Sequence, residues 1–331
     1  MAMIHDTVRI ARALGSVAAV GCLLILLRLH AGEPFLGCCG SSAAVMLDDE
    51  HFVVADDEDN RLRLYHSTQG GQPIDTWNFD KELKAEKKSV ESDLEGAARV
   101  GNLIFWIGSH GRNKDGELRP GRHVFFATAI RSRKGKPHLE IHGEPYRNLL
   151  TDLDRLPPLA FARLGEAGRL PPKAEGGLNI ESLCPRVGGG VWIGLRNPIP
   201  GGLALLVPLL NPEQVVQGQP PRFADPVRLP LGGLGLRDMA FDGTTYWILA
   251  GPSAGPGSTR LYTWKGGADA PQHRKENRFQ GLNPEAIVVQ GSNSRSLIVL
   301  SDDGGQRVQG KRCENLPKSE RQFRAVHVPI P

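Results

Sequence analysis

Apolar residues along this chain come in short runs, and each run is bounded by glycine, proline or a small polar cluster. Phe52 to Ala55, Leu103 to Ile107, Val191 to Ile193, Tyr246 to Ala250 and Leu297 to Leu300 are such runs. They are too short for helices and rich in β-branched and aromatic residues, so each predicts a buried strand. A run of small residues precedes each one: Ser42 to Ala44 before the first, Gly96 to Ala98 before the second. A polar loop and a third strand follow, as at His123 to Ile130, Leu203 to Leu209, Arg260 to Trp264 and Phe323 to Val328. One helical stretch is predicted, around Leu159 to Leu170, and Pro171-Pro172 ends it.

The same unit recurs. Asp93–Ser109, Asn179–Gly194, Arg237–Gly251 and Asn283–Ser301 each hold a small-residue strand, a tight turn and a bulkier strand, and Ser41–Ala55 is a degenerate copy. Starting points lie roughly 45 to 60 residues apart, a period that suits a propeller blade. Small residues suit the strand nearest a central channel, where space is tight. The second strand, buried between neighbouring blades, can be apolar throughout. The pattern therefore predicts an all-β chain: a β-propeller of five or six four-stranded blades, with six favoured. The wider gap between Glu95 and Glu181 holds either a degenerate blade that includes Leu139 to Leu150 or long loops. Gly188 to Gly190 is a strand-to-strand turn, not a phosphate cradle.

Composition agrees with this reading. The 331 residues include 40 Gly and 25 Pro, which many tight turns require. The net charge of +4 is spread without a basic block interleaved with aromatics, so nucleic acid is not an expected partner. Lys81 to Lys88 alternates with Glu82 and Glu86 and reads as a solvated loop or helical turn.

Residues 1–31 differ in kind. Arg9 and Arg12 precede an apolar run from Ala13 to Leu27, short of the ~20 residues that span a membrane comfortably. The segment reads as a signal peptide cut near Ala31 or, alternatively, an uncleaved inner-membrane anchor; residues 32–331 then form a single propeller domain. The expected location is periplasmic or extracellular, with membrane contact only through an uncleaved N-terminus. Four cysteines remain in that domain, Cys38, Cys39, Cys184 and Cys313. Either they stay as thiols, or one of Cys38 and Cys39 bonds Cys313 and ties the ends together. Their spacing is not that of a zinc site.

A meander places the start of strand one and the loop after strand two on one rim. The starts carry Glu95, Glu181, Asp238 and Glu285, with Arg237 beside Asp238. The loops carry the acidic stretch Asp56 to Asn60, then His110, Arg112 and Asn113, then Arg196 and Asn197, then Asp302 and Asp303. A ring of carboxylates around a narrow channel repels itself unless it is countered, either by an oxygen-ligated cation such as Ca²⁺ or by Arg112, Arg196 and Arg237. The alternative is that each carboxylate holds the backbone of the next blade. His110 is the candidate for acid–base work, with Arg112 stabilising an oxyanion. Two functions follow from this rim. One is a binding propeller for a small molecule or protein, with Asn113, Arg196, Asn197, Arg237, Asp302 and Asp303 as contacts. The other is a metal-assisted hydrolase of a phosphoester or lactone, with the cation on Glu95, Glu181, Glu285 and Asp238. No nucleophile elbow, Walker loop or zincin motif occurs.

The stretches Phe52–Tyr65, Asp93–Ala98, Trp106–Asn113, Gly233–Asp238, Asn283–Ala286 and Ser301–Gly304 resemble the bacterial domain-of-unknown-function 3616 family. The resemblance runs from about Cys38 to Val328. It implies one uncharacterised domain and brings no catalytic residues. In that pattern an Asp follows the cysteine where this chain has Gly40, which implies a missing carboxylate in the first blade. The Glu-Gly strand start is more distantly similar to phytase-like and gluconolactonase-like propellers, which bind Ca²⁺ on the channel axis; that similarity is one of fold.

Overall fold

The computed structural model describes residues 33–83, 91–254, 257–276, 278–291 and 295–330. The proposed leader or anchor lies outside the described residues, as does most of the Lys81 to Lys88 stretch. Among the described residues no helix is long and apolar enough to cross a membrane.

The small-residue runs and the bulky runs pair as antiparallel meanders, giving five blades rather than six. Blade 1 comprises Ser41–Met46, His51–Asp56, Arg61–His66 and Asp75–Asn78. Blade 2 comprises Leu94–Val100, Leu103–Gly108, Phe125–Arg133 and Lys136–Tyr146. Blade 3 comprises Asn179–Pro185, Val191–Asn197, Ala204–Leu209 and Val227–Leu229. Blade 4 comprises Gly235–Phe241, Tyr246–Gly251, Arg260–Trp264 and Gln272–Arg274. Blade 5 has three strands, Pro284–Gln290, Ser296–Ser301 and Ala325–Pro329.

The wide gap holds no sixth blade. Leu139 lies in the long outer strand of blade 2, and Leu150 begins a helical insertion. That insertion contains α1 (Leu149–Asp154), a 3₁₀ segment at Pro157–Ala162 and α2 (Leu164–Ala167). Leu149, Leu153, Leu159 and Leu164 pack into the core between blades 2 and 3. The insertion therefore caps a blade junction and is not a free excursion.

The core is divided among the blade junctions. Among the described residues five apolar clusters occur, one for each pair of neighbouring blades. Second strands such as Val191–Asn197 are buried along their whole length, because a blade lies against each face. The innermost strands need small residues for close approach. A Cβ on Gly96 would stand 2.7 Å from the Leu183 nitrogen of the next blade, and one on Gly235 would stand 1.8 Å from the Arg196 carbonyl oxygen.

The ends of the chain close the ring. Phe35–Leu36 pairs with Gln322–Phe323, and Gly40 bridges Asp302. Cys39 and Cys313 form a disulfide across this closure, while Cys38 and Cys184 remain buried thiols.

Candidate functional site

Each innermost strand carries the same irregularity near its start. Register with the second strand slips by one residue at Ser42, Glu95, Glu181, Arg237 and Glu285. A bulge of this kind re-aims one side chain without ending the strand. Repeated around a propeller, it delivers one side chain per blade to the channel end where these strands begin. Glu95, Glu181 and Glu285 line a cavity of about 1120 Å³ there, together with Asp57, Asp93 and Asp302. Among the described residues nine acidic and five basic ones line it, and no aromatic ring does.

Blade 4 contributes a cation where blades 2, 3 and 5 contribute an acid. Arg237, 5% exposed, sends Nη2 to Glu285 Oε1 at 2.7 Å and to Asn283 Oδ1 at 3.2 Å, with Nη1 at 3.6 Å from Glu181 Oε2. Arg196 donates to Glu181 Oε1 at 2.7 Å and to the Pro252 carbonyl. Arg122 pairs with Asp93 at 2.8 Å and with Glu91. These three arginines counter the acids beside them and, apart from the exposed Asp115, leave two of the lining acids without partners. Glu95, 9% exposed, and Asp57 have neither a hydrogen bond nor an ion pair among the described residues. Burial, reinforced by Asp93, Glu181, Glu285 and Asp57, pushes the Glu95 carboxyl well above the usual range. Burial and then Asp56, Asp93, Asp302 and Glu285 do the same to Asp57. Burial raises Glu285 to about 8 although Arg237 opposes it, and raises Asp93 to about 6 against Arg122. Glu181 Oε2 is buried without a hydrogen bond.

Asp238 is not part of the ring. It follows the bulge, so it faces the other way; its Oδ1 accepts from the Met239 amide at 2.7 Å and its Oδ2 from the Ile287 amide of blade 5 at 2.9 Å. It joins two blades. Asp303 is also structural: it accepts from Arg324 at 2.7 Å and from Ser301 Oγ at 2.8 Å. Asp302 does line the cavity, with Oδ2 held by Asn283 and Oδ1 by the Gly304 amide.

His110 does not reach the cavity. It is wholly buried, with Nδ1 donating to the Gly108 carbonyl at 2.8 Å and Nε2 unpartnered. Burial and the nearby His123 lower its pKa to about 3, so it is neutral at physiological pH. Arg112 lies behind the wall, donating to the Gly168 and Gly116 carbonyls. Asn197 donates to the Pro172 and Ala174 carbonyls and so fixes the strap that forms one side of the cavity. Asn113 lines the cavity while organising its own turn with Glu117. Ser42, the bulged residue of blade 1, donates to the Leu94 carbonyl. The carboxylate missing from blade 1 is supplied by Asp57. A Cβ on Gly40 would stand 2.2 Å from Asp57 Oδ1, so the bare backbone at Gly40 makes room for that group. Asp93 and Arg122 were not expected from sequence; Asp93 opens a repeat copy, but nothing in the sequence singles out Arg122.

Residues 147–302 match the family described as Protein of unknown function (DUF3616). The DUF3616 match spans the helical insertion, blades 3 and 4 and the first two strands of blade 5. It bears out the resemblance read from the motifs over that span. No curated protein sequence matches the chain. Among solved structures, a GH43 β-1,3-galactosidase bound to galactodeoxynojirimycin is similar, with TM-score 0.50 and 9% identity over 92% of this chain and 95% of that one. Myxococcus xanthus glutaminyl cyclase has TM-score 0.45 and 12% identity, over 90% and 95% of the two chains. The PQQ-bound aldose sugar dehydrogenase of Streptomyces coelicolor has TM-score 0.43 and 12% identity, over 90% and 96%. The likeness to the galactosidase is one of fold alone. Among the described residues no group of three or more His, Cys, Asp or Glu is arranged to hold a metal ion.

Proposed function

We propose that this protein is an exported binding propeller whose axial cavity takes a small ligand bearing ammonium or guanidinium groups. One observation carries the reading. Glu95 is buried at the cavity wall, has no partner among the described residues, and has Asp57, Asp93, Glu181 and Glu285 as its electrostatic neighbours. A buried carboxyl in that setting lacks only a countercharge, and a ligand cation supplies it. Among the described residues no aromatic ring lines the cavity, which argues against recognition by stacking. The Cys39–Cys313 disulfide supports an oxidising compartment.

The test is thermal unfolding of the purified protein at low salt with butylamine, putrescine and spermidine, using glucose as the uncharged control. A ligand that binds only the folded state raises the melting temperature as its concentration rises. The expected result is a rise with the amines, none with glucose, and loss of the amine response in Glu95→Gln. No response to any amine overturns the reading. The same carboxylates motivate a second reading, a Ca²⁺-dependent hydrolase of a phosphoester or lactone. A Ca²⁺-dependent rise, lost in Glu95→Gln, would favour that one.

A further inference from the structure

The axial cavity continues sideways. A second chamber of about 480 Å³ lies at the junction of blades 5 and 1 and shares Asp57, Glu58, Lys173 and Asp302 with the first. Its further wall is built from Gly40, Asn283, Gly304, Gly305, Gln306, Arg312 and Glu314, so no apolar side chain among the described residues lines it. A chamber with such walls gains little from an apolar ligand. Four carboxylates face two cations in it. Arg312 is committed to Glu314 at 2.9 Å, and Glu58 to Arg321 at 2.6 Å. Asp57 has no such partner among the described residues and stands where the chambers meet, in space kept open by Gly40. One wall is the segment around Gln306 and Glu314, which the Cys39–Cys313 disulfide ties to blade 1. The chamber is thus held by a covalent link.

We infer that the two chambers form one elongated site for a linear polyamine, with one ammonium group at Glu95 on the axis and a second at Asp57 where the side chamber opens, in the field of Glu314, which shares its charge with Arg312. This rests on the axial cavity taking a cation. Joining two ammonium groups in one chain makes the second contact intramolecular, so the gain over a monoamine exceeds the statistical factor for having two ends.

Calorimetric titration of the full protein with butylamine, putrescine and spermidine tests the inference. Wild type is compared with Glu314→Gln, which removes a charge from the side chamber, and with Gly305→Phe, which fills it. Among the described residues a Cβ at Gly305 would meet only Arg312 Nη2, at an ordinary contact distance of 3.7 Å, and the backbone there is not in the left-handed region, so the side chain can be accommodated. The expected result is that spermidine binds about tenfold or more tightly than butylamine in wild type, and that this ratio collapses toward unity in both variants. Butylamine binding without a spermidine advantage, or an advantage that survives in both variants, overturns the elongated site and leaves the axial cation site standing. Failure of every amine to bind wild type overturns both.

Discussion

At the residue scale, the ring is defined by which acids have partners. Glu181, Glu285 and Asp93 each have an arginine, whereas Glu95 and Asp57 have none among the described residues. A carboxyl with a raised pKa in the folded state holds its proton more tightly there than in the unfolded chain. Its contribution to stability is therefore lost as pH rises through the folded value. His110, His123 and His327 act in the opposite direction, because burial lowers their pKa values, but their effect fades above about pH 6.5, the ordinary histidine value. Between about pH 6.5 and about pH 8, where Glu285 titrates, the carboxyls dominate. The melting temperature should fall across that interval, and Glu95→Gln should flatten the fall and raise stability at its alkaline end. A melting temperature that is flat or rising there, with no difference in the variant, would contradict this account of the ring. For the same reason a bound ammonium group should release protons, since it favours the ionised carboxyl.

At the scale of the element, the recurring bulge does the positioning. It separates neighbours in sequence by function: Arg237 enters the channel and Asp238 bonds the backbone of blade 5. A one-residue shift in a strand moves a side chain to the opposite face, so the repeat copies must be aligned on the bulge and not on the nearest acid. Aligned that way, Arg237 matches Glu95, Glu181 and Glu285, and the ring contains a built-in cation. Asp238→Ala would leave two buried amides unpaired, at about 1–3 kcal/mol each. Chemical denaturation should show a loss of that order with binding by the remaining fold intact, whereas Asp238→Asn, which keeps an acceptor oxygen, should lose less. If Asp238→Ala abolished amine binding without lowering stability, the residue would belong to the site after all.

At the scale of the whole molecule, the propeller closes where its two ends meet. The third strand of blade 5 comes from the C-terminal segment, and the Cys39–Cys313 disulfide spans 274 residues of sequence at the same junction. Cross-links over long loops restrict the unfolded chain most, by about 2–4 kcal/mol in typical cases. Cys39→Ser and Cys313→Ser should each lower stability by an amount in that range, and dithiothreitol should lower wild type to a similar level while leaving the variants unchanged. Equal stability of all forms would mean that strand pairing alone closes the ring. Because the side chamber lies at this closure, the spermidine advantage should weaken along with stability in the serine variants.

The strands, their repeat and the rim at which the cavity opens were legible in the sequence, because each is a local property. Short apolar runs bounded by turn residues specify strands, their period specifies blades, and meander geometry puts strand starts and second loops on one face. Glu95, Glu181, Glu285, Arg196, Arg237 and Asp302 were all identified on that basis, and all but Arg237 line the cavity, with Arg237 bonded to two of them. What depended on tertiary structure was partnership. Whether the span after Glu95 is a blade or an insertion depends on what its leucines pack against. Whether Asp238 or Arg237 enters the channel depends on a bulge of one residue. Asp57 enters the site because Gly40, distant from blade 5 in sequence but bridged to it in space, leaves room for it. His110 is withdrawn because its imidazole is wholly buried, with Nδ1 bonded to the carbonyl two residues before it. Local pattern determines which residues can form strands and where polar groups collect. The free energy of burying a charge depends on every other charge within a few ångströms, and only the folded chain brings those together.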